Sequence, residues 1–279
     1  MIGLHGRREA VRVADRVRDL PERIADGRRG GGPAIAGWIA GYSYPAVFLA
    51  AAAVQVGWAL YVVRSLKETK AAPHPDDAPG SLRDVLRDRV FVVWLAVMSL
   101  ANFVPHQGFV ALAAWMKSQG HAASTFGTVL GLNGLLIVLV QPWIAPALTR
   151  FDPPKVMALG AGLQGLGFAV HGLPLGVPGH VLAVLIWTSG EIITNPVSSA
   201  VVSRLAPRTL RARYQGLLGM SFSFAGLVGP LVGAAVLDRW GAALWAGCLV
   251  VGVGAGVAML AIGPALRDRL HRADLENAR

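Results

Sequence analysis

Residues 240–263 read WGAALWAGCLVVGVGAGVAMLAIG, twenty-four positions without one charged side chain. A helix rises 1.5 Å per residue, so about twenty such residues cross the roughly 30 Å hydrocarbon core of a bilayer. A soluble helix would bury one apolar stripe and leave its other face polar, whereas here apolar residues surround the whole axis. The pattern recurs along the chain. Apolar runs of this kind cover 45–63, 90–116, 123–148, 156–176, 180–203 and 214–237, which makes seven predicted spans in 279 residues. A shorter run, 30–41, precedes the turn Tyr42-Ser43-Tyr44 and reads as the outer end of an incomplete helix.

Composition agrees with the spans. The chain is 54% hydrophobic and 15% charged, against about 25% charged in an average soluble domain, and its mean hydropathy is +0.51. The 34 glycines and 17 prolines are tolerated in membrane helices, and they show no triplet period of the collagen kind. A single cysteine, Cys248, excludes an intrachain disulfide framework and a cysteine-built zinc site. The expected fold class is all-α, a polytopic membrane helix bundle.

A net charge of +10 and a pI near 10.8 would suggest nucleic-acid binding in a soluble chain. Here the basic residues lie between the apolar runs. With the N-terminus inside, 24 of the 26 fall in cytoplasmic segments, and only Lys117 and Arg239 fall outside. Cytoplasmic loops retain Lys and Arg, so the charge reads as a topology signal, with both termini cytoplasmic in a multi-pass protein of the plasma (inner) membrane. No nucleic-acid partner is expected.

Five segments follow from this reading: an Arg-rich cytoplasmic tail, 1–29; two helices, 30–66; a cytoplasmic linker, 67–89; six helices, 90–265; and a cytoplasmic tail, 266–279. The first tail mixes arginines with Glu9, Asp15, Asp19, Glu22 and Asp26 and has no apolar core, so it does not read as a signal peptide. With 22 Arg against 4 Lys, the coding DNA is expected to be GC-rich, and residues 1–29 are expected to come from a wrong start or shifted frame. The linker holds Pro73, Pro75 and Pro79. It ends in Ser81-Leu82-Arg83-Asp84-Val85-Leu86-Arg87, which predicts a short amphipathic helix capped by Ser81.

Polar groups inside spans carry the functional signal. An acid at mid-span costs about 2.5–3.5 kcal/mol on insertion scales, so it persists where it pairs or works. Glu191 is the one acid deep in any span, with Asn195 a turn later and Trp187 a turn earlier on the same face. Glu191 is the candidate proton carrier. His106 lies mid-span beside Pro105, with Asn102 one turn before it and Gln107 next to it. Kinked helices place substrate groups at the midplane, and imidazole titrates near physiological pH, so His106 is the second proton-coupling candidate. Asn102, Trp187 and Asn195 are the candidate substrate contacts. Gln55, Asn133, Gln141 and Gln164 suit interhelical hydrogen bonds, Gly229 and Gly233 suit close helix packing, and Trp94, Trp115 and Trp143 suit lipid-interface or packing positions. No metal-ligand spacing, phosphate loop or nucleophile elbow occurs, so no enzyme is expected.

An internal repeat connects the two ends of the chain. Gly32-Pro33-Ala34-Ile35-Ala36-Gly37-Trp38 matches Gly229-Pro230-Leu231-Val232-Gly233-Ala234-Ala235, and each is followed by a turn, an apolar helix and a basic exit at Arg64 or Arg267. The run Trp187-Thr188-Ser189-Gly190-Glu191-Ile192-Ile193-Thr194-Asn195-Pro196 and the stretch Leu205-Ala206-Pro207-Arg208-Thr209-Leu210-Arg211-Ala212-Arg213-Tyr214-Gln215-Gly216 resemble the tenth helix and the following loop of the drug:proton antiporter-like branch of the major facilitator superfamily. That resemblance implies the C-terminal six-helix half of such a fold plus the last two helices of the N-terminal half. Arg28 stands where the family's fifth-helix signature has a glycine. The resemblance implies a secondary transporter, with proton-coupled efflux of a drug-like or amphipathic molecule. Its partners would be membrane lipid and a small-molecule substrate, with no cofactor beyond the proton gradient and a monomer when complete. The alternative expectation is a truncated, non-transporting fragment or a partner-dependent half-transporter.

Overall fold

The computed structural model describes residues 44–65 and 81–277. The 1–29 tail, the 30–41 run with the Gly32-Pro33 half of the repeat, and most of the linker lie outside these residues. The described chain is helical throughout, without strands: α1 Tyr44–Ser65, α2 Leu82–Arg87, α3 Arg89–His106, α4 Ala111–Ser118, α5 Ala123–Leu148, α6 Pro153–Val170, α7 Gly176–Leu205, α8 Arg211–Trp240, α9 Ala243–Ala261 and α10 Gly263–Asn277. Among the described residues, five segments are long and apolar enough to cross a membrane: Arg89–Ser118, Ala123–Leu148, Gly176–Leu205, Arg211–Trp240 and Ala243–Ala261.

Local chemistry sets several boundaries. Ser81 caps α2 as expected, its hydroxyl accepting from the Asp84 amide while Asp84 accepts from the Ser81 amide at 2.7 Å. Asp88 then caps α3 by accepting from the Phe91 amide at 3.1 Å. The expected span 90–116 lies within one spanning segment, Arg89–Ser118, which holds two helices because Pro105 lacks the amide that would continue the ladder and residues 107–110 form a turn. One expectation needs correction. The span 156–176 ends at Val170, and a loop leads to Gly176, which takes φ +60° to start α7. The tail 266–279 is largely helix: α10 buries Leu266, Leu270 and Ala273 against the bundle.

α6 is the centre of the bundle, packed against α7 on one side and α9 on the other. Lipid tails are as apolar as leucine, so helices associate where small residues bring backbones close. A Cβ on Gly167 would lie 2.8 Å from the Ala183 carbonyl oxygen, and one on Gly190 would lie 3.0 Å from the Gln164 backbone nitrogen. On the other side, Gly252 and Gly165 face each other, a Cβ on Gly252 lying 2.6 Å from the Gly165 Cα. α3 packs on α8 and α9, and α5 lies against α7.

The two ends of the bundle differ in chemistry. At one end, Asp88 accepts from the Tyr214 hydroxyl at 3.0 Å and from Arg269 at 3.2 Å, while Arg269 also reaches the Leu205 carbonyl. Arg267 pairs with Asp152 at 2.8 Å and Arg204 with Asp274 at 2.6 Å. α10 thereby clamps the adjoining ends of α3, α6 and α7. The Arg204 hydrogen bond holds the Asp274 carboxyl below its ordinary value, so this clamp contributes at neutral pH and is lost as acid protonates the carboxylate. Lys117 and Arg239 belong to the other end, where imidazoles and indoles meet.

Gly252→Ala is expected to destabilise the protein by about 1–3 kcal/mol, because its methyl meets backbone on α6 that has nowhere to move. Gly254→Ala, whose Cβ would meet nothing within 4 Å, should leave the thermal midpoint in detergent unchanged. Equal midpoints for the two variants would refute the role given to the α6–α9 contact.

Candidate functional site

Five helices and the α3–α4 turn converge on a cavity of about 240 Å³. α7 supplies Trp187, Glu191 and Asn195 at successive i, i+4 positions, so one face of the helix forms a continuous wall. α3 supplies Asn102 and His106 with the same spacing, and the turn after Pro105 brings Phe109 to the rim. Leu130 and Asn133 enter from α5, Gln164 from α6 and Phe222 from α8. The sequence-predicted residues Glu191, His106, Asn102, Trp187 and Asn195 thus all line one cavity.

Glu191 is 9% exposed, and its carboxyl is held by amides. Asn133 Nδ2 donates to Oε2 at 3.0 Å and lies 3.1 Å from the Thr188 hydroxyl, while Asn195 Nδ2 donates to Oε1 at 3.4 Å. Asn133 therefore joins α5 to α7 through the acid itself. Both carboxyl oxygens are thereby occupied by amide donors.

His106 Nδ1 lies 2.7 Å from the Asn102 carbonyl, which can only accept. In the neutral ring this assigns the hydrogen to Nδ1 and the lone pair to Nε2. A Cβ on Gly226 would sit 3.2 Å from that Nε2, so glycine there makes room for the imidazole. Gln107 anchors the break by donating to the Phe103 carbonyl at 2.9 Å and across to the Gly229 carbonyl at 3.1 Å. Its side chain lies where a Cβ on Gly233 would stand. The Gly229 and Gly233 pair therefore packs closely, as expected, and what it receives is the broken α3–α4 element.

Two further donors, Asn102 Nδ2 and Trp187 Nε1, are buried without a hydrogen-bond partner among the described residues. They belong to residues predicted as substrate contacts. The sequence assigns Asn133 and Gln164 to interhelical bonding. Asn133 does bond between helices, and both residues also line the cavity. Phe109, Leu130 and Phe222 give no signal in the sequence, since an apolar residue in an apolar helix carries no mark of facing a cavity. Gln55 is exposed, Trp94 is packed inside and Trp143 is 83% exposed. Among the described residues no cluster of three His, Cys, Asp or Glu could hold a metal ion.

The family model described as Major Facilitator Superfamily matches residues 30–230 and, overlapping, 106–278. The MFS-type transporter YqjV of Bacillus subtilis (strain 168) is 26% identical over 159 residues, 56% of this chain and 38% of its own length. A Na(+), Li(+), K(+)/H(+) antiporter of Planococcus maritimus is 24% identical over 108 residues, 39% of this chain and 26% of that protein. Among solved structures, a POT family transporter in complex with 5-aminolevulinic acid aligns with a TM-score of 0.56 at 14% identity, covering 95% of this chain and 56% of that one. The chain thus spans between a quarter and little more than half of these proteins. With a family match over most of its length and the fold of a known transporter, this chain belongs to the major facilitator superfamily.

Proposed function

We propose that the chain is the C-terminal half and adjoining helices of a proton-coupled exporter of small amphipathic molecules, with Glu191 as the proton carrier. The observation that carries the reading is the position of Glu191: a lone deep carboxyl on the wall of the 240 Å³ cavity, with both oxygens supplied with amide donors. Anionic Glu191 gives the cavity a charge, held by the amide donors on its two oxygens. Proton gain removes that charge and alters what the cavity binds. Trp187, Phe109 and Phe222 offer apolar surface to the body of a substrate, while Asn102 and Asn195 offer donors to its polar groups. His106, with Nε2 as acceptor, is the second titratable group on the route. In this family the substrate site lies between two halves that rock about it, and the relative named as a cation/H(+) antiporter supports proton coupling as the driving reaction.

The orientation follows from charge. The arginine-rich end that carries Arg204, Arg267 and Arg269 faces the cytoplasm, and the end carrying Lys117 and Arg239 faces outward. In a background with Cys248 replaced by Ala, an impermeant thiol reagent added to intact cells is expected to label Ser118→Cys and Arg239→Cys but not Arg150→Cys. The reverse pattern would overturn this orientation.

In inverted membrane vesicles from cells expressing the complete gene product, Glu191→Gln is expected to lower proton-driven substrate uptake at least a hundredfold while insertion and thermal midpoint stay at the parent values. Glutamine keeps an acceptor for Asn133, presents an NH2 group in place of the oxygen that faces Asn195, and cannot carry the proton. Unchanged uptake would remove Glu191 from the mechanism.

A further inference from the structure

We propose that the end of the bundle opposite the arginine-rich surface holds a second proton-binding site, separate from the cavity: the His171–His180 pair, which clasps the α4 terminus, the α6–α7 loop and α7 together while neutral and releases them on protonation. Both side chains are buried, at 0% and 2% exposure, and neither lines the cavity. His171 Nδ1 lies 2.9 Å from His180 Nδ1, and His180 Nε2 lies 2.8 Å from Gln119 Oε1. The loop backbone is tied in as well, since Trp115 Nε1 donates to the His171 carbonyl at 2.8 Å.

The proton count of this chain is fixed by its partners. The Gln119 oxygen only accepts, so His180 Nε2 carries a hydrogen, His180 Nδ1 accepts and His171 Nδ1 donates. His171 Nε2 then holds a lone pair, buried without a partner among the described residues. Reversing the Gln119 amide reverses the direction of donation and leaves one hydrogen per imidazole. A further proton has no good place. It sets two N–H donors face to face across one of the two hydrogen bonds, or it creates a sealed cation at His171 Nε2.

Among the described residues no acid pairs with such a cation. The titratable group beside the pair is His121, edge-on to His180 at 5.6 Å from the loop after α4, and a positive charge there opposes another. α6 contributes Phe168 and α9 contributes Trp245, both with rings 5.6 Å from His171. Cys248 on α9 belongs to the same apolar cluster. Among the described residues no carboxylate bonds to either ring.

Once opened to water, both imidazoles titrate near their ordinary value of about 6.5. The closed clasp excludes the extra protons and the open one binds them, so linkage favours closure above that pH and opening below it, about tenfold per pH unit for each imidazole released. The α6–α7 loop ends at Gly176, the first residue of α7, at φ +60°, and α4 continues directly from the turn that brings Phe109 to the cavity rim. Acid on this face thereby loosens the segment that follows the cavity rim.

The test is hydrogen exchange read by mass spectrometry on the whole chain in lipid nanodiscs, at about pH 7.5 and about pH 5.5, with times corrected for intrinsic exchange. Peptides covering 111–122 and 168–180 are expected to exchange at least tenfold faster in acid, while 82–95 stays unchanged. The double variant His171→Gln, His180→Gln should lose the acid response, and His121→Gln should keep it. Gln119→Leu, which removes one link without touching an imidazole, should show raised exchange already at about pH 7.5. Glu191→Gln should retain the full response, which separates this site from the cavity acid. A wild-type chain indifferent to pH, a response surviving in the double variant, a Gln119→Leu chain behaving as wild type, or a response lost in Glu191→Gln would each overturn the proposal.

Discussion

The contact on which the structure depends is the approach of α6 to α7 and α9 at glycine. In hydrocarbon there is no water to expel between apolar helices, so association relies on dispersion contacts and on polar groups that satisfy one another. Gly165 against Gly252 and Gly167 against Trp187 bring backbone within reach of backbone. Gly190 sits in the same seam next to Gln164 and directly precedes Glu191. The seam therefore sets the rotation of α7, and that rotation turns Trp187, Glu191 and Asn195 toward one cavity.

A second constraint is the break after Pro105. Proline removes a ladder hydrogen bond, and Gln107 supplies bonds of its own by reaching Phe103 on α3 and Gly229 on α8. Glycine at 226, 229 and 233 leaves the groove that His106 and Gln107 fill. The kink and the groove explain each other. Together they hold the imidazole at the cavity with its Nδ1 committed to the Asn102 carbonyl.

The two ends are built from different chemistry for a physical reason. Arg269, Asp88 and Tyr214 form a knot of opposite charges and a hydroxyl, and α10 bears on the ends of α3, α6 and α7 through it and its neighbouring ion pairs. The opposite end is closed by imidazoles and indoles, and the proposed His171–His180 clasp is what makes it sensitive to added protons. A bundle fastened in this way is firm at one end and conditional at the other.

Much of the fold was legible in the sequence because bilayer thickness imposes a length and a composition on each helix. Runs such as 123–148 coincide with α5 at both ends, Ser81 caps α2, and the distribution of arginine separates the two ends of the bundle. Glu191, Asn195, Trp187, His106 and Asn102 were legible as a candidate site because polar groups are costly in hydrocarbon. The structure had to decide who faces whom. That Asn133 on α5 donates to Glu191 on α7, that Phe109 and Phe222 line the same cavity, and that α10 is a clamp rather than a tail all depend on how helices rotate and cross. Helices that are apolar on every side carry no stripe from which that rotation can be read, so glycine contacts across the bundle fix it, and only the tertiary structure brings those glycines together.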